Sequence, residues 1–284
     1  MKKNIIQIGD ILVGEANPVF IIAEVGINHN GDIDQTKQLI NAAKKAGANS
    51  VKLQSYLTEK RVSRDHPVYE ILKKCELTNI EQKELFDYGK DIGILIFSTP
   101  FDDESVDFLE SINCPLYKIA SFDSVNHKLL RKVSATNKPI IMSTGMTSET
   151  ELSKALGSLT VDNKNECNLA LLHCISSYPM NDIDANLNVI KHLSEIHPGP
   201  IGYSDHSIGI NVPILAIGAG ASIIEKHFTL DTTQDGPDHA MSANPKILED
   251  MITKIRWAEK VLGNNNLQMR SSEEGSSSFR RFKD

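Results

Sequence analysis

Short apolar runs alternate with longer stretches whose apolar residues recur at helical spacing, and this alternation continues along almost the whole chain. "VFIIAEVG" is followed by "IDQTKQLINAAKKAGA", which Gly47 brings to a stop, and "SVKLQSY" is followed by "NIEQKELFDYGKDIG". The same order recurs through "ILIFSTPF", "PLYKIAS", "PIIMSTG", "NLALLHCIS", "PIGYSDH" and "SIIEKHF", each with a helical stretch behind it. Such a succession implies repeated βα units on a parallel sheet. Eight strands with eight helix candidates reach the count that closes a (β/α)8 barrel, an α/β fold. The competing arrangement, a doubly wound sheet, would leave edge strands, and no Gly-rich dinucleotide fingerprint follows the first strand.

A chain of 284 residues is long enough to bury one large core of this kind. The segment before the first barrel strand is expected to form a short hairpin. Residues 1–266 are expected to make the barrel, and the polar, Ser-rich stretch 267–284 a linker or tail. A hydrophobic fraction of 40% and a charged fraction of 24% are ordinary for a soluble globular protein. The net charge of −7 argues against non-specific nucleic-acid binding, yet a local cluster of lysines could still hold an anionic small molecule. Cys75, Cys114, Cys167 and Cys174 show no CxxC spacing, so reduced thiols in a cytoplasmic enzyme are expected. The N-terminus does not resemble a signal peptide, and no apolar run approaches the ~20 residues of a membrane span.

In a parallel barrel the chemistry gathers at the C-terminal ends of the strands, where residues two apart share a face. Glu24 ends the first strand in phase with Ile22, and the second carries Lys52 and Gln54 on one face. Thr99 ends the third; the fourth carries Lys118, followed by Ser121 and Asp123; Ser143 ends the fifth. The sixth carries His173 and Ser176, and the seventh Ser204 and His206 in phase. On the eighth, Glu225 and His227 share a face, with Lys226 opposite. The stem of Lys226 is expected to lie on apolar surface with its ammonium reaching water.

Taken singly, Thr99, Thr144 and Ser176 read as caps or turn formers. His173 reads equally as a satisfied core histidine or a functional one. The two inward lysines carry more weight, because an ammonium buried without an anion costs several kcal/mol. The pair implies a bound anion, and hydroxyls at Thr99, Ser121, Ser143 and Ser204 suit a phosphate. His206 and His227, on neighbouring strands, are placed to chelate one divalent ion, and two imidazoles with open positions fit Mn, Fe or Zn better than Ca.

Together "FIIAEVGINHNG", "VKLQSY", "FSTPFD", "YKIAS", "KPIIMSTGM", "LLHCISSYP", "GYSDHS", "IIEKHFTLD" and "GPDHAMS" resemble, in order and over about residues 17–263, the sialic acid (N-acetylneuraminate) synthase family and its nonulosonic acid relatives. The resemblance implies a barrel enzyme that condenses phosphoenolpyruvate with an N-acetylmannosamine-type sugar, releasing phosphate and forming a nine-carbon 2-keto acid. It implies that Lys52, Thr99, Lys118, Ser121, Ser143 and Ser204 hold the phosphate and carboxylate of phosphoenolpyruvate. His206 and His227 would bind a divalent metal, Mn²⁺ first with Mg²⁺ or Co²⁺ as alternatives. Glu24 would orient or deprotonate the water that adds, forming the catalytic set with Lys52 and Lys118. Gln54, Asp123, Tyr178 and Asp238 match positions that contact the sugar, and Asn28 and His29 are further candidates in the loop after the first strand. A homodimer without nucleic-acid or membrane partners is the implied setting.

Two departures shape the expectation. Ala120, Ser121, Phe122 and Asp123 stand where some sialic acid synthases read Gly-Ser-Gly-Glu. That run resembles the pseudaminic acid branch, whereas "GINHNG" and "GPDH" resemble the sialic and legionaminic branches, so all three product types stay open. Members of the family usually continue into a small domain resembling type III antifreeze protein, which gives an arginine to the partner's sugar site across a dimer. This chain stops at "SSSFRRFKD", about where the linker to that domain would run. The alternative expectation is a truncated barrel, weakly active or non-catalytic, that needs a separate C-terminal domain or partner subunit.

Overall fold

The computed structural model describes residues 5–160 and 168–281, so Cys167 lies outside it. A two-stranded antiparallel hairpin, β1 (Ile5–Ile8) and β2 (Ile11–Gly14), comes first and buries Ile6, Ile8 and Val13 in the same core as the barrel strands. Eight parallel strands then close on themselves: β3 (Phe20–Gly26), β4 (Ser50–Ser55), β5 (Leu95–Pro100), β6 (Tyr117–Ile119), β7 (Ile140–Ser143), β8 (Leu169–Cys174), β9 (Ile201–Asp205) and β10 (Ile223–His227). They follow one another around the ring, and β10 pairs with β3 to seal it. Every residue of β3 is buried, as expected of a strand covered by side chains inside and helices outside, and this is why it reads as a continuous apolar run.

The connecting helices are α1 (Ile33–Ala46), α2 (Thr58–Arg61), α3 (Tyr69–Cys75), α4 (Asn79–Ile92), α5 (Asp103–Ser111), α6 (His127–Ser134), α7 (Glu149–Leu159), α8 (Asn188–Ile196), α9 (Asn211–Gly218) and α10 (Pro245–Leu262). Their ends obey local chemistry. The Asp32 carboxylate accepts hydrogen bonds from the Asp34 and Gln35 N–H groups at the start of α1, and Gly47 closes that helix at φ 94°. Thr78 and Glu81 cap α4 reciprocally.

Two features depart from the sequence reading. The crossover between β4 and α4 is not a plain loop, since α2 and α3 form within it above a small apolar cluster of Ile27, Tyr56, Leu72 and Cys75, with Val62 and Phe101 packed alongside. Their few turns are too short to carry a helical period. Lys226 is the other departure: its ammonium does not reach water. It is 1% exposed and ion-paired to Asp205, with a second hydrogen bond of 2.7 Å to the Ser207 carbonyl. An anion on the neighbouring strand makes burial cheaper than the long reach to solvent.

Beyond α10 the chain carries a 3-10 turn (Ser271–Glu273) and a single helical turn, α11 (Glu274–Ser277), with nearly all side chains exposed. Among the described residues no helix is long and apolar enough to cross a membrane.

Candidate active site

The pleat sends alternate residues of each strand into the barrel, and at the C-terminal ends these residues line a cavity of about 690 Å³. Glu24, Lys52, Gln54, Thr99, Lys118, Ser121, Asp123, Ser143, Tyr178, Ser204, His206, His227 and Asp238, all singled out from the sequence, line that one space. Gly26 helps to form it. The backbone turns there at φ +55°, and a Cβ would come within 2.9 Å of a Glu24 carboxylate oxygen, so only glycine leaves that carboxylate its place.

At the floor, two buried cations sit among two buried carboxylates. The Lys52 ammonium is ion-paired to Glu24, lies 3.7 Å from Glu225 Oε2 and donates to Thr99 Oγ1 at 3.1 Å. Lys118 Nζ lies 3.5 Å from Glu225 Oε1 and donates to Ser143 Oγ at 2.6 Å. Ser204 donates to Glu225 Oε1 at 2.9 Å. Each lysine therefore has a protein anion, and the inference that the pair must face a bound anion loses that part of its force. Glu225 does the balancing. The i, i+2 spacing of "EKH" puts it on the His227 face, where it was expected at most to orient neighbouring groups; pairing with both lysines is what the sequence did not show.

Burial and charge divide the two carboxyls. Burial pushes Glu24 up, Lys52 pulls it back and Glu225 pushes it up again, leaving it at about 7. Burial would raise Glu225 too, but Lys118 and Lys52 outweigh it and hold this carboxyl well below the usual range. Burial also lowers Lys118, opposed by Glu225. Near neutral pH the floor thus holds one firm carboxylate, one carboxyl poised to gain or lose a proton, and two buried lysines, with burial disfavouring the charged form of Lys118.

The histidines stand beside this floor. The His206 and His227 rings are 5.4 Å apart between centroids, and the Tyr178 ring lies 4.3 Å from His206. His206 Nδ1 lies 2.7 Å from the Ile175 carbonyl, which fixes the proton on Nδ1 and leaves Nε2 with a free lone pair. His227 Nδ1 is buried with no hydrogen-bond partner, and Asp238 Oδ2 is 3.8 Å away. Burial drives His206 down to about 4 and lowers His227 as well. Both rings are therefore neutral, the form that binds metal. Among the described residues no group of three or more His, Cys, Asp or Glu side chains is arranged for a metal, so a cation here would take two imidazoles and complete its shell with other oxygens.

Other candidates lie outside the cavity. His173 faces the helix layer, with Nε2 2.7 Å from the Ala185 carbonyl, so the core reading applies to it. Asn28 donates to the Phe228 carbonyl and Ser242 Oγ, both at 2.9 Å, tying the loop after β3 to the loops around β10. His29 accepts from the Gly31 N–H at 3.0 Å and likewise holds that loop. Arg61, which no sequence pattern marked, lines the cavity from the end of α2.

Residues 39–267 match the model of the NeuB family. The chain belongs to the NeuB family. The matched span contains every cavity residue singled out from the sequence except Glu24, which precedes it. Among NeuB-type relatives, an uncharacterized protein of Methanocaldococcus jannaschii is 49% identical over 91% of this chain and 76% of its own length. The N,N'-diacetyllegionaminic acid synthase of Legionella pneumophila is 37% identical over 92% of this chain and 78% of that enzyme. The crystal structure of the N-acetylneuraminic acid (sialic acid) synthetase from Leptospira borgpetersenii, in complex with citrate, superimposes with a TM-score of 0.93 at 40% identity, covering 98% of this chain and 96% of that one. As a NeuB family member, this chain is an enzyme of the nonulosonic acid synthase type.

Proposed function

We propose that the protein condenses phosphoenolpyruvate with an N-acetylmannosamine-type sugar, or a 2,4-diacetamido relative, to give a nine-carbon 2-keto acid and inorganic phosphate. The observation that carries this reading is the floor of the cavity, where Lys52 and Lys118 lie buried at 5% and 2% exposure within a ring of hydroxyl donors. The two lysine ends and these hydroxyls face one cavity, an arrangement that suits a small multivalent anion. The named activity of the Legionella relative, a legionaminic acid synthase, supports the same class.

Lys52, Lys118 and the hydroxyls of Thr99, Ser121, Ser143 and Ser204 hold the phosphate and carboxylate. The methylene carbon of phosphoenolpyruvate attacks the aldehyde carbon of the open-chain sugar, forming the new carbon–carbon bond. The carbonyl π pair moves to the aldehyde oxygen, which takes up a proton to become the new hydroxyl, and water adds to the central carbon. Glu24, with a proton affinity near neutrality, takes the proton from that water. The tetrahedral carbon then expels phosphate by carbon–oxygen cleavage, and the lysines neutralise the departing charge. Gln54, Asp123, Tyr178 and Asp238 contact the sugar. His206 and His227 would hold a divalent cation, Mn²⁺ by preference, and when bound it supplies Lewis-acid polarisation of the aldehyde oxygen.

The test is mass-spectrometric detection of product, with phosphate release, over a panel of N-acetylated hexoses with and without 6-phosphate, plus Mn²⁺. No product from any sugar sinks the reading. The metal site has its own readout: Mn²⁺ should raise the melting temperature of the wild type and not of His206→Ala. Equal shifts in both proteins would remove the metal from these residues.

A further inference from the structure

Arg61 reaches the cavity from α2, in the crossover between β4 and α4. Its guanidinium lies 3.7 Å from the ring centroid of Phe101 and 4.7 Å from that of Tyr56, and these contacts fix its plane. Nη1 donates to Gln54 Oε1 at 2.9 Å, which fixes its rotation within that plane. Among the described residues no carboxylate forms an ion pair with it, while Asp123 and Asp238, on two other loops of the same cavity, act on it through space. An oriented guanidinium with donors left over is built to meet an acceptor that the protein does not supply.

The charges around it say what kind. Lys60, its neighbour, is 3.0 Å from Glu104 and so already neutralised, leaving one arginine against two aspartates at the mouth. The two lysines and the hydroxyl donors lie at the floor, and the mouth has no matching pair. A phosphate would be held at the floor and repelled at the mouth, whereas a neutral polyhydroxylated sugar meets a donor in Arg61 and acceptors in Asp123 and Asp238.

We propose that Arg61 is a specificity residue for the acceptor, donating to the N-acyl carbonyl or a hydroxyl oxygen of an uncharged N-acylated amino sugar and not to a sugar phosphate. The proposal rests on the function proposed above and names its acceptor class.

The experiment compares wild type, Arg61→Lys and Arg61→Ala. With N-acetylmannosamine and its 2,4-diacetamido relative, Arg61→Ala should raise the KM for the sugar roughly 10- to 100-fold, leave the KM for phosphoenolpyruvate within about twofold, and be partly rescued in Arg61→Lys. Wild type should prefer the free sugar to its 6-phosphate. An unchanged sugar KM overturns the proposal. Equal rises in both KM values also overturn it, because they would mean that Arg61 acts only by holding Gln54 against Glu24. A wild-type preference for the 6-phosphate overturns the charge argument and the proposal with it. Calorimetric binding of N-acetylmannosamine alone separates this from failure of the proposed reaction. Sugar binding that is lost in Arg61→Ala supports the role even if no product forms, and identical binding, or none, in both proteins refutes it.

Discussion

Glu24 and Gly145 give the most direct residue-level tests of the proposed mechanism. Replacing Glu24 by Gln keeps the amide-sized partner for Gln54, which now lies 3.2 Å from the carboxylate, but removes the proton acceptor. Turnover should fall by roughly 10²- to 10⁴-fold with little change in KM for either substrate, measured by steady-state phosphate release. Gly145 acts by the space it leaves and by its backbone N–H. A Cβ there would stand 2.5 Å from Ser176 Oγ, 2.7 Å from Cys174 Sγ and 2.8 Å from Ser121 Oγ, while the Gly145 N–H donates to that same Ser121 hydroxyl at 3.0 Å. Gly145→Ala should displace Ser121 and lower kcat/KM for phosphoenolpyruvate roughly 10- to 100-fold. If the parameter stays put, Ser121 is not at the anion. At this scale the sequence was most legible where a strand end forced the direction of a side chain: Lys52, Lys118, Ser204 and His227 needed only the period of the pleat. It was silent on pairing. Nothing in "VKLQS" or "IIEKH" says that Lys52 and Glu225 will be 3.7 Å apart, because that distance comes from the closure of the ring.

Between elements, the most consequential contact is the buried brace from β10 to β9. Lys226 and Asp205 face the helix layer while Glu225 and Ser204, one residue earlier on the same two strands, meet inside the barrel. Lys226→Met should cost about 3–5 kcal/mol in urea unfolding by leaving the Asp205 charge buried with no cation, though Ser207 still donates to it, and the double change with Asp205→Asn should recover part of the loss. A loss below about 1 kcal/mol would show that the pair is solvated in solution. Element order and type were readable throughout the barrel because apolar period and caps agreed. The exception is the crossover holding α2 and α3, whose order comes from the cluster around Tyr56 and Leu72, a tertiary cause without a local pattern.

For the molecule as a whole, acid should be destabilising through the loop that joins β3 to α1. His29 is buried, and although the Gly26 carbonyl, Glu81 on α4 and Asp32 favour its charged form, burial dominates and lowers it to about 4 from 6.5. The unfolded chain therefore binds the extra proton as pH falls below 6.5, while the folded chain resists until about 4. Stability attributable to this ring is fully present above pH 6.5 and declines toward pH 4, by about 3 kcal/mol in all. Melting temperatures taken from pH 7.5 down to pH 4.5 should fall less steeply for His29→Gln than for wild type; parallel curves would exonerate the residue.

The crossover that bears Arg61 rests on its own small cluster, in which Ile27 and Phe101 come from the loops after β3 and β5. Of the groups proposed to meet the sugar, Arg61 alone comes from this crossover, while Gln54, Asp123, Tyr178 and Asp238 come from a barrel strand and other loops. If the proposed function holds, exchanging the crossover between β4 and α4 should alter sugar preference while Lys52, Lys118, His206, His227 and Glu24, all outside it, keep their places.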